Sequence, residues 1–134
     1  MPAHITAVDV EPDWYEPYAI SQALRAGDTV YVSGQAGIDH EGGTVSEDFE
    51  DQMRQAVANL EYVLAAAGGT LRDLVKVTIM VTDMAHLDTI TKLRRELFAK
   101  PYPADTLMQV AALASPEWKV EIDGVAVLAG DRSA

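Results

Sequence analysis

Two carboxylates and the polar residues beside them are the parts of this chain that can do chemistry. Asp105 and Thr106 follow Pro101-Tyr102-Pro103-Ala104 and open an apolar run; Glu121 stands between Val120 and Ile122 in a second run. Two prolines in three residues stop a helix and fix an extended backbone, which puts Asp105 and Thr106 at the first positions of a strand. A carboxylate inside an apolar strand is costly unless it is paired or used. Glu121 therefore reads either as a general base that takes a proton from water or as the salt-bridge partner of Lys76, which also interrupts an apolar strand. Asp105 reads as a cleft carboxylate or as an ordinary turn and strand-start residue. His4, His40 and His86 have no metal-ligand spacing, and solvated positions are expected for them. Gly-x-Ser-x-Gly is absent, so Ser33-Gly34-Gln35 is not a nucleophile elbow. Trp14 and Trp118 read as packing residues rather than ligand platforms.

The elements that must hold these residues follow from periodicity. Residues 1–45 read as strands and turns. They comprise a short strand within Ile5 to Val10, an aromatic loop at Trp14 to Tyr18, and an extended stretch from Ala19 to Arg25. A turn at Ala26-Gly27-Asp28 and a strand from Thr29 to Gln35 follow. Residues 47–67 predict a helix, with Phe49, Met53, Ala56, Val57, Leu60, Val63, Leu64 and Ala67 on one face, Ser46 as N-cap and Gly68-Gly69 as terminator. A strand from Leu74 to Thr82 comes next, with Val75, Val77, Ile79 and Val81 on one side and Leu74, Lys76, Thr78 and Met80 on the other. Asp83 caps a second helix, buried through Leu87, Ile90, Leu93, Leu97 and Phe98. The strands Asp105–Leu113 and Trp118–Leu128 complete the chain. This order predicts an α+β fold with both helices packed on one face of one sheet. Val30, Val32, Thr78, Met80, Val125 and Val127 cannot all line the helix side, so the second face is expected to be buried between subunits. Lys119, Glu121 and Asp123 share a face by alternation.

A length of 134 residues suits one domain over residues 1–134. The chain has no cysteine, which removes disulfides, thiolate metal sites and a cysteine nucleophile. Ten basic against twenty-one acidic residues give a net charge of −11, a balance that repels phosphates and argues against a nucleic-acid partner. No basic-then-apolar leader and no apolar run of membrane length is visible. A cytoplasmic protein without a membrane partner is the expectation.

Tyr31-Val32-Ser33-Gly34-Gln35, Leu64-Ala65-Ala66-Ala67-Gly68, Leu74-Val75-Lys76-Val77-Thr78, Pro103-Ala104 and Val120-Glu121-Ile122 form an ordered set that resembles the reactive-intermediate deaminase (RidA/YjgF) family. The resemblance runs from about Pro17 to Val127. It implies a chorismate-mutase-like (YjgF-like) fold with a mixed sheet, a homotrimer with clefts between subunits, and hydrolysis of enamines and imines without metal or cofactor. The family's site residues fall on Tyr18, Ser33 and Glu121. Two positions depart: Thr91 stands where the family has asparagine, and Asp105 stands where it has the arginine that holds a substrate carboxylate. The cysteine often found two residues later is Leu107.

The resulting expectation is a deaminase-like hydrolase of altered specificity acting on a small metabolite. Glu121, with Asp105, activates water; Tyr18, Ser33, Gln35, Thr91 and Thr106 orient the ligand. Asp105 is expected to repel carboxylates, so that 2-iminobutanoate is a poor substrate and the ligand is neutral or cationic. The rival readings are a non-catalytic small-molecule-binding or regulatory trimer and an RNA-acting protein; the charge disfavours the second.

Overall fold

A computed structural model describes residue 2 and residues 4–129. The polar tail from Gly130 onward lies outside them. Six strands form one sheet: β1 (Ile5–Ala7), β2 (Ala23–Ala26), β3 (Thr29–Ala36), β4 (Leu74–Val81), β5 (Ala104–Gln109) and β6 (Val120–Val127). Their order is β1-β2-β3-β6-β4-β5, and only β4 and β5 run parallel. A parallel pair needs a crossover, which here carries the helix α2 (Leu87–Leu97); the longer helix α1 (Phe49–Ala66) joins β3 to β4. The expected α+β fold, a mixed sheet with two helices on one face, is the observed one.

The core lies between that face and the helices. Met53, Leu60 and Leu64 of α1 and Ile90 and Leu93 of α2 are fully buried with Val30, Val77, Ile79, Val81, Val120 and Ile122. Each such side chain contributes about 1.5–3 kcal/mol by leaving water. On the opposite face Tyr31, Met108 and Val127 are exposed, and Lys76, Thr78, Met80, Glu121, Asp123 and Val125 are half-buried. Val30 and Val32 thus belong to the helix side, while Thr78, Met80, Val125 and Val127 form the open one.

Several local expectations need correction. The N-cap of α1 is Asp48, whose carboxylate accepts from the Asp51 amide at 3.0 Å. Ser46 sits two residues earlier, where its hydroxyl accepts from the Asp48 amide and donates to Asp51. In β4 it is Leu74 that is buried and Val75 that is exposed, because the register with β6 shifts between Leu74 and Lys76; a bulge inverts the alternation before it. Asp83 caps a short 3₁₀ turn, Met84–His86, and α2 begins only at Leu87, which is exposed rather than buried. The final strands are shorter than their apolar runs. Beyond Gln109 the chain turns away and returns through Ser115-Pro116-Glu117. Gly68 takes φ +86°, the left-handed position expected after a helix.

Candidate functional site

Glu121 is placed by three contacts that begin far from it in sequence. Gln52, buried on α1, donates from Nε2 to the carbonyls of Ser46 (2.9 Å) and Glu117 (3.0 Å), and its Oε1 accepts from the Lys119 amide at 2.9 Å. This fixes the turn that leads into β6. One helical heptad later Asn59 donates to the carbonyls of Ala36 and Ile38 and fixes the end of β3. Between them, the β3–β6 register shifts between Val32 and Gln35. At that irregularity Gly34 lies directly under the Glu121 carboxylate: a Cβ on Gly34 would stand 2.8 Å from Glu121 Cδ and closer still to Oε2. The Tyr15 hydroxyl donates to the Gly34 carbonyl and holds the bulge.

The carboxylate so placed is half-buried, and no donor among the described residues satisfies it. Burial, and then the charge of Asp123 on the same face, raise its pKa above the ordinary glutamate value. Burial, and then Glu121, raise the Tyr15 phenol in turn. Both side chains line a cleft of about 870 Å³ together with Trp14, Tyr18, Ile38, Glu117 and Trp118. Tyr18 is 73% exposed at the end of the 3₁₀ turn Glu16–Tyr18, and Ala19 takes a left-handed φ of 59° after it.

Asp105 lies elsewhere. It points to the helix side of β5, whereas Glu121 points to the open side of β6, so one chain does not bring the two carboxylates together. Arg94 of α2 grips Asp105 with both ends of a fork, Nε to Oδ2 at 2.9 Å and Nη2 to Oδ1 at 2.8 Å. The side chains are 25% and 21% exposed. The expected free, repelling carboxylate is therefore corrected to a neutralised one. This pair lines a second pocket of about 440 Å³ with Thr91, Arg95, Phe98, Tyr102, Pro103 and Leu107.

The remaining sequence candidates scatter. Ser33 donates to the Ser21 carbonyl at 2.5 Å and so fastens the loop before β2. Gln35 is fully buried and donates to Gln22 at 3.0 Å, because the bulge turns it toward the interior. Within this chain it cannot reach a cleft ligand, contrary to expectation. Thr106 accepts from Lys76 Nζ at 2.5 Å on the open sheet face. Lys76 thus pairs with Thr106 and the Val77 carbonyl rather than with Glu121. His40 stacks on Trp14 at 4.6 Å and His86 on Phe49 at 4.2 Å, so the solvated positions expected for them are half-buried ring stacks. Trp14 packs as expected, and it also walls the cleft. Among the described residues no group of three metal-ligating side chains occurs, and no helix is long and apolar enough to cross a membrane. Reasoning from sequence missed Tyr15, Gln52 and Arg94. The one available signal was Gln52 and Asn59 recurring seven residues apart within an apolar helix face.

Fold and cleft together define an α+β protein of the YjgF-like class. The Endoribonuclease L-PSP family profile matches residues 9–128. Over 125 residues the chain is 37% identical to Reactive Intermediate Deaminase A, chloroplastic, of Arabidopsis thaliana, covering 92% of this chain but only 65% of that protein's length. It is 33% identical over 128 residues to the 2-iminobutanoate/2-iminopropanoate deaminase of Dermatophagoides farinae, covering 95% and 98% of the two chains. The solved structure of protein YJGH superposes with a TM-score of 0.85 at 36% identity, over 96% of this chain and all of that one. The chain belongs to the RidA/YjgF, or endoribonuclease L-PSP, family.

Proposed function

We propose that this protein is a deaminase-like hydrolase that converts a small imine or enamine to the carbonyl compound and ammonia, with a specificity altered from that of its arginine-bearing relatives. The observation that carries the reading is Glu121, a half-buried carboxylate without a hydrogen-bond donor among the described residues, raised in pKa and lining a cleft beside Tyr18. A base poised nearer neutrality is suited to taking a proton from water. Water then adds its oxygen to the imine carbon while the nitrogen gains a proton. Collapse of the resulting carbinolamine forms the C=O bond, breaks the C–N bond and releases ammonia. Tyr18 orients the ligand, and Thr91 and Asp105 belong to a second half of the site. Because Glu121 and Asp105 occupy opposite sheet faces, that reading joins them across the boundary between copies of a homotrimer. The exposed Tyr31, Met108 and Val127 of the open sheet face support such an assembly. Relatives named as 2-iminobutanoate/2-iminopropanoate deaminases support the reaction class.

The test is to generate an imine in place with an amino-acid dehydratase and follow its loss. Acceleration by the protein, abolished in Glu121→Gln, is expected. No acceleration with any imine or enamine would leave the rival reading, a small-molecule-binding trimer. Light scattering that shows a monomer at micromolar concentration would remove the inter-subunit site.

A further inference from the structure

The pocket between α2 and β5 has a charge unlike that of the rest of the molecule. The chain as a whole carries −11, yet the ionisable side chains lining this pocket, apart from the Tyr102 phenol, are Arg94, Arg95 and Asp105. Asp105 neutralises one guanidinium, and one positive charge is left over. The geometry of the ion pair leaves the cation usable. A guanidinium has five N–H groups in a rigid plane. Asp105 takes the Nε hydrogen and one Nη2 hydrogen, which leaves the two on Nη1 and the second on Nη2. Those lie along the other edge of the plane, a second fork of the shape that accepts a carboxylate in two parallel bonds. Among the described residues no acceptor takes the Nη1 hydrogens. Thr91 and Tyr102 line the same pocket as Arg94, and Phe98, Pro103 and Leu107 give it an apolar wall.

We propose that Arg94 is a specificity-determining residue: its free Nη edge binds the carboxylate of a small organic acid in this pocket, and Asp105 is the positioning residue that fixes the plane of the fork. The inference rests on the hydrolase reading for its place in the reaction, since it makes the substrate class a carboxylate-bearing imine. It reverses what Asp105 alone suggests. The negative charge on β5 does not bar an acid; it orients the cation that receives one.

Binding measured without turnover separates this proposal from the hydrolase reading. The probes are 2-oxobutanoate, the oxo acid left after hydrolysis of the corresponding imine, and its neutral amide, each titrated by calorimetry into the assembled protein. Wild type is expected to bind the acid at least tenfold more tightly than the amide. Arg94→Gln is expected to lose that preference, and Arg94→Lys, which keeps the charge without the fork, to retain only part of it. Each variant is checked by circular dichroism and by its melting temperature. The proposal is overturned if wild type does not discriminate acid from amide, or if natively folded Arg94→Gln keeps the preference. Should Arg94→Gln fail to fold, the Arg94→Lys variant decides: an undiminished acid preference overturns the fork. An Arg94-dependent preference for the acid without any imine turnover supports the clamp and sinks the hydrolase reading alone.

Discussion

Glu121 and Asp105 are two carboxylates of one sheet, separated by a single strand, and the molecule treats them oppositely. Among the described residues Glu121 has no hydrogen-bond donor, and it lies over a glycine at the wall of an aromatic cleft. Asp105 is clasped on the other face by a two-pronged guanidinium. The first arrangement raises the free energy of the charged form and makes the group a better base. The second fixes geometry and cancels charge. A site that has to bind one group and activate water at another needs one carboxylate of each kind. Within one chain the opposite faces keep the Arg94 cation away from Glu121, where it would lower the raised pKa.

The largest effect should come from removing the unpaired carboxylate. Glu121→Gln keeps the shape and deletes the base, so imine hydrolysis should fall by about 10²–10⁴-fold, with no loss of folding stability. A loss of the folded state on this substitution would make Glu121 structural and erase the contrast with Asp105.

Next in size is Gly34→Ala. The new methyl would press on the Glu121 carboxyl group, and overpacking of this kind costs about 1–3 kcal/mol. If the carboxylate instead swings out to water, its pKa should return toward the ordinary value. Chemical denaturation, with an NMR titration of the Glu121 carboxyl carbon, separates the two. Unchanged stability together with an unchanged titration would show that Gly34 does not support the group.

The pH dependence sharpens the comparison further. The Glu121 pKa is raised in the folded state, so between its unfolded and folded values the native protein holds more protons than the unfolded chain. Stability from this group is therefore complete below the unfolded pKa and is lost as pH rises through the folded one. Glu121→Gln should become progressively more stable than wild type across that window. The melting-temperature difference between the two, followed from pH 4 to pH 8, checks the sign. A difference that shrinks with rising pH would mean that Glu121 is stabilised as an anion after all.

How far these roles were visible in the sequence depends on which interactions are periodic. Alternation along Lys119, Glu121 and Asp123 correctly put Glu121 off the core face, since a strand's side chains change face at every residue. Alternation failed at Gln35 and at Leu74-Val75, where bulges add a residue that no local pattern announces. Arg94 lies in the last turn of α2, and its partner stands eleven residues away across a proline-marked turn. The departure at Asp105 was legible only against the family pattern, and its ion pair with Arg94 was not legible, because the counter-ion comes from another element. Gln52 and Asn59 were legible as polar interruptions of an apolar stripe, but what they bind is set by tertiary packing alone.

The smallest predicted effect tests the paired carboxylate. With side chains 21% and 25% exposed, the Asp105–Arg94 pair belongs among the partly screened ion pairs, whose coupling is about 0.2–1 kcal/mol. A double-mutant cycle with Asp105→Asn, Arg94→Gln and both together isolates that coupling from other losses. Two parallel hydrogen bonds place the expected value near the upper end of the range, and added salt should reduce it. A coupling of about zero would mean that the fork is open in solution, and Asp105 would then face the pocket as a free charge. A coupling of about 3 kcal/mol or more would mark a desolvated pair, of the kind expected if a second copy of the chain covers it. A modest coupling beside an unaltered or raised stability in Glu121→Gln is the combination that distinguishes a carboxylate kept for geometry from one kept for chemistry.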